Sequence, residues 1–163
     1  YEFLKPLADV TNLTEDDFID WGNADNYVKA VGVGECAGVV IDLVATLLFE
    51  AKDKLTFANE SLAENKYADA IYHAYAGFVN GAKALLLSEN QKTNHHAGII
   101  NLFDTVFVDT NKIVLNSSFA DLVYQINQNQ PTEEFAKKYI QEAVLFFNVI
   151  EEYRVKDLAN EIS

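Results

Sequence analysis

Three histidines, His73, His95 and His96, are the side chains of this sequence with the widest chemical use, because imidazole can move protons or bind metals near neutral pH. Asp69 stands four residues before His73, a spacing that puts both on one helix face. His95 and His96 are adjacent, so they diverge. A hydrolytic metal site on a helix needs two histidines on one face with a carboxylate. We therefore predict no metal, and we interpret Asp69 and His73 as a surface pair or a buried polar contact.

Cationic side chains are scarce. The chain has 25 acidic and 12 basic side chains, a formal net charge of −13 at pH 7, and one arginine, Arg154. Affinity for a nucleic-acid backbone comes from Lys and Arg that neutralise phosphates, and a chain this acidic repels phosphate at long range. The composition argues against broad nucleic-acid binding.

Cys36 is the only cysteine, which excludes an internal disulfide and a self-contained iron–sulfur cluster. A reducing, cytoplasmic setting fits this usage best. The longest apolar run, residues 39–49, is interrupted by Asp42 and is too short to span a bilayer. We expect no membrane anchor.

The helix expected over residues 66–90 is the element that should position the histidines. One face carries large apolar residues at steps of three and four, and the neighbouring face carries only small residues. A helix with both faces has partners on two sides, as the central helix of a bundle does. The large face comprises Ile71, Tyr75, Phe78, Ala82 and Leu85, and the small face comprises Ala70, Ala74, Gly77, Gly81 and Ala84.

The same helical period recurs along the chain, and no segment has a convincing period of two. The pattern predicts an all-α fold, a helical bundle in which short connections make neighbouring helices antiparallel. We assign residues 1–34 to an irregular N-terminal arm with a short helix near 15–21, and residues 35–163 to the bundle. The other expected features are a first helix from about Glu35 to Glu64, a break at Asn65–Lys66, a third helix ending near Asp109, a fourth capped by Ser117 or Ser118, and a last one starting at Thr132.

Several motifs from the central helix onward resemble the HEPN family in order and spacing. They are Tyr67-Ala68-Asp69-Ala70, Tyr75-Ala76, Ala82-Lys83-Ala84-Leu85-Leu86-Leu87, Lys92-Thr93, His96-Ala97-Gly98, Phe103 and Phe107-Val108. The resemblance covers about residues 36–155 and implies an antiparallel up-and-down bundle of four main helices plus a shorter one, which is often dimeric. It also implies that a histidine followed by glycine two residues later opens the third helix, which would be His96 with Gly98.

A second resemblance lies upstream, in residues 4–9, 16–22 and 32–38. These segments are similar to the region that follows the catalytic part of certain bacterial sulfite or nitrite reductase hemoproteins with an appended HEPN-like domain. The resemblance implies siroheme and a four-iron (4Fe-4S) cluster in the parent enzyme. We expect no cofactor in this chain itself.

The preferred functional interpretation is a non-catalytic accessory domain of such a reductase, acting by homodimerisation or by docking to the reductase domain, with no catalytic residue. The alternative is a degenerate HEPN ribonuclease or a nucleotide-binding module. The family resemblance implies an arginine four to six residues before the catalytic histidine, and at those positions before His96 only Lys92 is cationic. We therefore favour a structural role for His96.

The candidate ligand-binding residues are His96, Tyr75, Lys92 and His73. A polar cavity beside Tyr75 and His96 would indicate a small-molecule regulatory site. A wider set of tyrosines could line a nucleotide cleft, although aromatic residues at helical spacing are more often core. These are Tyr67, Tyr72, Tyr75, Tyr139 and Tyr153.

Overall fold

The structure, a computed structural model, describes the backbone of residues 33–162 and the side chains of residues 42–160. Residues 43–163 form a compact unit. The expected arm with its short helix near 15–21 and the Cys36 side chain lie outside the described residues. The boundary between arm and bundle at 34/35 stays a prediction.

The regular secondary structure of the described residues is all helical, with no strand, which confirms the predicted all-α antiparallel bundle. Two of the helices run on into irregular turns, since α3 continues as a π-helix and α4 as a 3-10 turn. The elements are α1 Val33–Ala63, α2 Tyr67–Ser88, α3 His96–Phe103, the π-helix Asp104–Val108, α4 Phe119–Tyr124, the 3-10 turn Gln125–Asn127 and α5 Glu133–Ile162.

Asparagines in the left-handed backbone region end α1 and α2. Asn65 has a φ of 62° and Asn90 a φ of 59°, a conformation that asparagine tolerates better than most residues. In each turn the following residue bonds back into the last helical turn, Lys66 N to Ser61 O and Gln91 N to Leu86 O, both at 2.9 Å. These bonds satisfy carbonyls that a helix end would otherwise leave unpaired, so the predicted break after α1 is a defined turn.

The small-residue face of α2 lets two helices approach it closely. A Cβ built on Gly77 would lie 2.8 Å from Cδ2 of Leu55 in α1, and one built on Gly81 would lie 3.6 Å from Phe146 in α5. The two glycines therefore face different partners. This confirms that α2 is the central helix with neighbours on two sides. Of its predicted large face, only Tyr75 is not fully buried.

One cluster of aromatic rings joins α3, α4 and α5 to α2. Phe119 of α4 lies with its ring centroid 4.6 Å from that of Phe103 and 4.7 Å from that of Phe146. Phe78 of α2 lies 5.2 Å from Tyr139 and 5.5 Å from Phe146 of α5. All five side chains are buried. Because aromatic pairs at such distances add to the free energy of apolar burial, this cluster holds the four helices α2, α3, α4 and α5 together.

The short helix α4 depends on side-chain caps at its N-terminus. The Asp104 carboxylate accepts hydrogen bonds from the Phe119 and Ala120 amides at 2.6 and 3.0 Å. Ser118 Oγ accepts from the Asp121 amide at 3.0 Å, which confirms the serine cap and places it at Ser118. A helix of six residues is too short to be stable alone, so Asp104 ties it to the π-helix after α3.

Tyr139 fixes the other end of α4. Its buried hydroxyl donates to the Val123 carbonyl at 2.6 Å. Burial raises the pKa of Tyr139, so this hydroxyl stays a proton donor across the neutral range.

We predict opposite effects for Gly77→Ala and Gly81→Ala. The new methyl at Gly77 would overlap Leu55, and overpacking of this kind costs about 1–3 kcal/mol, more than the ~1 kcal/mol that alanine gains over glycine in a helix. At Gly81 the methyl meets Phe146 at ordinary contact distance, so the helix gain remains. Urea unfolding of both variants checks this. A Gly77→Ala protein as stable as Gly81→Ala would contradict the close α1–α2 contact.

We expect Asp104→Asn to lower the free energy of unfolding by about 1–3 kcal/mol, because both part-buried hydrogen bonds lose their charged acceptor and one amide then faces an NH2 group. Asp121→Asn is the matched control, an exposed acidic residue in the first turn of the same helix, with an expected change within about 0.5 kcal/mol. Thermal and urea unfolding of both variants measure the difference. Equal losses would mean that general helix electrostatics, and not the tie from Asp104, stabilise α4.

Candidate functional site

His96 is the first residue of α3, as the family resemblance implied. Gly98 allows the preceding loop to fold tightly onto this first turn, since a Cβ at Gly98 would lie 2.6 Å from Thr93 Oγ1. His95 is the N-cap, with no side-chain hydrogen bond to the helix amides. The His96 ring is therefore presented at the exposed N-terminus of α3.

Tyr75 and His96 form a hydrogen-bonded pair between α2 and α3. The Tyr75 hydroxyl lies 3.1 Å from Nδ1 of His96, and the ring centroids are 5.7 Å apart. Burial raises the pKa of Tyr75, with further contributions from Tyr124 and Tyr72. The hydroxyl therefore stays protonated at neutral pH and can donate to Nδ1. This leaves Nε2 as the ring nitrogen that is available to a ligand.

The pair continues into a line of rings that we call the aromatic row, which comprises Phe57, His73, Tyr72, Tyr75 and His96. Successive ring centroids along it are 5.8 Å apart for Phe57 and His73, 6.2 Å for His73 and Tyr72, and 6.4 Å for Tyr72 and Tyr75. Phe57 and Tyr72 are 42% and 59% exposed. The row brings together three of the four predicted ligand-binding residues, and Phe57 and Tyr72 extend it beyond them.

Lys92, the fourth predicted residue, is exposed in the loop between α2 and α3. It stands four residues before His96 in the sequence. Its predicted role as a ligand-binding residue stays a prediction.

His73 lies in the row as an aromatic ring. Its Nδ1 is buried without a hydrogen-bond partner, so Asp69 is not bonded to that nitrogen. Among the residues whose side chains the structure describes, no three His, Cys, Asp or Glu side chains are grouped so that they could hold a metal ion.

Arg154 is held inside the protein near the end of α5. It is 6% exposed, and its Nη1 lies 3.4 Å from Oδ2 of Asp157. No pattern in the sequence around Arg154 predicted this burial. The single arginine therefore has a structural contact of its own.

The five tyrosines do not form one cleft. Tyr139 is part of the buried core and Tyr67 packs at its edge. Tyr153 lies against Phe107, 5.5 Å between centroids, and its hydroxyl donates to Glu89 at 3.3 Å. Only Tyr72 and Tyr75 belong to the aromatic row.

Two surface clefts lie elsewhere on the bundle. The larger, about 590 Å³, is lined by residues of α4, α5 and the loop before α4, including Val114, Leu122 and Leu145. The smaller, about 360 Å³, includes Lys112 and Lys156. Neither includes a residue of the aromatic row, so neither supplies the polar cavity that a regulatory small-molecule site would need. No helix among the described residues is long and apolar enough to cross a membrane.

The comparison with known proteins agrees with the fold. The HEPN domain family matches residues 44–158. A protein of Methanocaldococcus jannaschii, named "Putative toxin MJ0605", is 34% identical over 123 residues, which are 71% of this chain and 88% of the relative. No solved structure matches the chain. This chain belongs to the HEPN family.

The interpretation as an accessory domain of a sulfite or nitrite reductase is wrong. The relative that the chain covers almost completely has a toxin name, and neither comparison gives a reductase. The residues that suggested a reductase, 4–9, 16–22 and 32–38, all precede the matched region. Siroheme, the four-iron cluster and docking to a parent reductase domain have no support without that resemblance.

We predict that Tyr75→Phe changes the tautomer of neutral His96. With the phenol donating to Nδ1, the neutral ring carries its proton on Nε2. Without the hydroxyl, no donor at Nδ1 favours the Nε2–H tautomer, and both tautomers become populated. Nitrogen-15 chemical shifts of the His96 ring at about pH 8.5, where free imidazole is neutral, measure the populations. An Nδ1–H ring in the unmodified protein would contradict the assigned donor.

Proposed function

We propose that this chain is a toxin-class HEPN protein that cleaves RNA, with His96 as its acid–base group and Tyr75 as the residue that positions the imidazole. The observation that carries the proposal is the hydrogen bond between Tyr75 and Nδ1 of His96 at the exposed start of α3. The name of the Methanocaldococcus relative supports the same class.

The pair suits a proton transfer at Nε2. In the protonated ring, Nδ1–H donates to the Tyr75 hydroxyl oxygen and Nε2–H faces outward. When the 2′-hydroxyl of RNA attacks the adjacent phosphorus, the bond to the 5′-oxygen breaks and a 2′,3′-cyclic phosphate forms. His96 gives its Nε2 proton to the leaving oxygen, and the proton of the 2′-hydroxyl passes to solvent. Placed acid–base groups of this kind contribute about 10²–10⁴-fold to rate.

The negative charge of the phosphate is stabilised less strongly here than it would be by the arginine that the family resemblance implied. Arg154 is buried against Asp157, and the cation before His96 is Lys92, which binds phosphate as a point charge and lacks the planar fork of arginine. The amides at the N-terminus of α3 add a partial positive charge at the same end. We therefore expect slow cleavage, consistent with a degenerate ribonuclease.

A nucleotide-binding module without cleavage is the second candidate. The exposed rings of the aromatic row favour it, because bases stack on such rings without any catalytic group. Binding of mononucleotides with no cleavage of RNA would select this function. Either activity fits a cytoplasmic location, and the expected homodimer stays a prediction.

We expect His96→Ala to lower the cleavage rate of a single-stranded oligoribonucleotide by at least about 100-fold. His95→Ala is the matched control, an exposed neighbouring histidine outside the pair, and it should keep most of the rate. Product analysis should show a 2′,3′-cyclic phosphate end. Cleavage that survives in His96→Ala, or that disappears equally in both variants, would contradict the role of His96.

A further inference from the structure

Exposed aromatic rings on α1 and α2 adjoin the proposed acid–base pair. Phe57 and Tyr72 are large apolar side chains with 42% and 59% of their surface in water, and each contacts the His73 ring. Through Tyr75 the row reaches His96 without a gap larger than 6.4 Å between successive ring centroids. Contiguous exposed apolar side chains that are rimmed by polar residues mark interaction sites, whereas single exposed ones are normal on any protein.

We propose that the exposed rings of Phe57 and Tyr72 are a stacking surface for unpaired bases of single-stranded RNA, which holds the strand so that a phosphate lies at His96. This rests on the proposed function and names the part of the substrate that the chain grips. The strand binds with its bases against α1 and α2 and its backbone toward the start of α3.

The net charge of the protein favours binding of RNA through its bases over binding along its phosphate backbone. A net charge of −13 repels a nucleic-acid backbone, so affinity must come from the uncharged part of the nucleotide. Base–aromatic stacking does this, and it tolerates any sequence because every base has a π-face. Double-stranded RNA offers no free base faces and should bind poorly.

The test measures binding apart from cleavage, in the His96→Ala background, by fluorescence anisotropy with a short single-stranded oligoadenylate. Tyr72→Ala and Phe57→Ala should each weaken binding about tenfold, and Tyr72→Phe should restore it because the ring is kept. Leu145→Ala is the matched control, a residue of α5 with a similar exposure of 58%, and should leave binding unchanged. Circular dichroism confirms that the variants keep their helices.

Two further probes separate stacking from other causes. An abasic oligonucleotide of the same length should bind at least about tenfold more weakly, and the salt dependence of binding should be shallow, since few phosphates are neutralised. Equal binding of the abasic strand, or unchanged binding in Tyr72→Ala, would overturn the proposal. A change of oligomeric state in the ring variants by light scattering would overturn it in favour of a second copy of this chain on this face.

The outcomes distinguish this proposal from the proposed function. If the ring variants lose binding while the protein that retains His96 does not cleave RNA, the stacking surface is supported and the ribonuclease function is contradicted. If cleavage depends on His96 but does not change in the Phe57 and Tyr72 variants, the ribonuclease function is supported and the stacking surface is contradicted.

Discussion

The closeness of α2 to its neighbours is the constraint on which the bundle depends. Gly77 and Gly81 are small enough for α1 to pack at one position and α5 at the other. This leaves the larger residues of α2 to fill the space between helices, where Phe78 meets the rings of Phe119, Tyr139 and Phe146. Buried aromatic area is the largest single contribution that such a core can make. The same helix then presents Tyr72 and Tyr75 at the edge of that core.

The position of Tyr75 shows how one side chain serves both packing and chemistry. Its ring continues the apolar face of α2, while its hydroxyl reaches out of the core to Nδ1 of His96. An imidazole at a helix start is otherwise free to rotate, so its nitrogens have no fixed direction. Since the partner hydroxyl comes from a different helix, the packing of α2 against α3 sets the direction in which the Nε2 proton points.

Much of the fold could be predicted from the sequence because helical periodicity is a local signal. The ends of α1 and α2 and the Ser118 cap follow from residues within a few positions, whereas the start of α3 at His96 was implied by the family resemblance. The π-helix Asp104–Val108 and the contact from Asp104 to α4 could not, because the carboxylate meets amides fifteen and sixteen residues away.

The site was predictable only in part. His96, Tyr75 and His73 were singled out by type and family resemblance, and the structure brings them into one row. Phe57 was missed as a site residue, and Tyr72 was considered only within the wider set of tyrosines, because the exposure of an aromatic residue on a helix is not visible in the sequence. The function assigned first was wrong because it rested on segments before residue 44, and the part of the chain that carries the family match gave the better guide.

The aromatic row lies wholly within residues 57–96, whereas the core closes through pairs as distant in sequence as Gly81 and Phe146. Contacts between near neighbours in sequence lose less chain entropy when they form. During synthesis the segment with the candidate site leaves the ribosome before α5 does. We expect the segment from α1 to α3 to gain its local contacts first, with α5 docking last, so that the order of folding separates formation of the site from completion of the core.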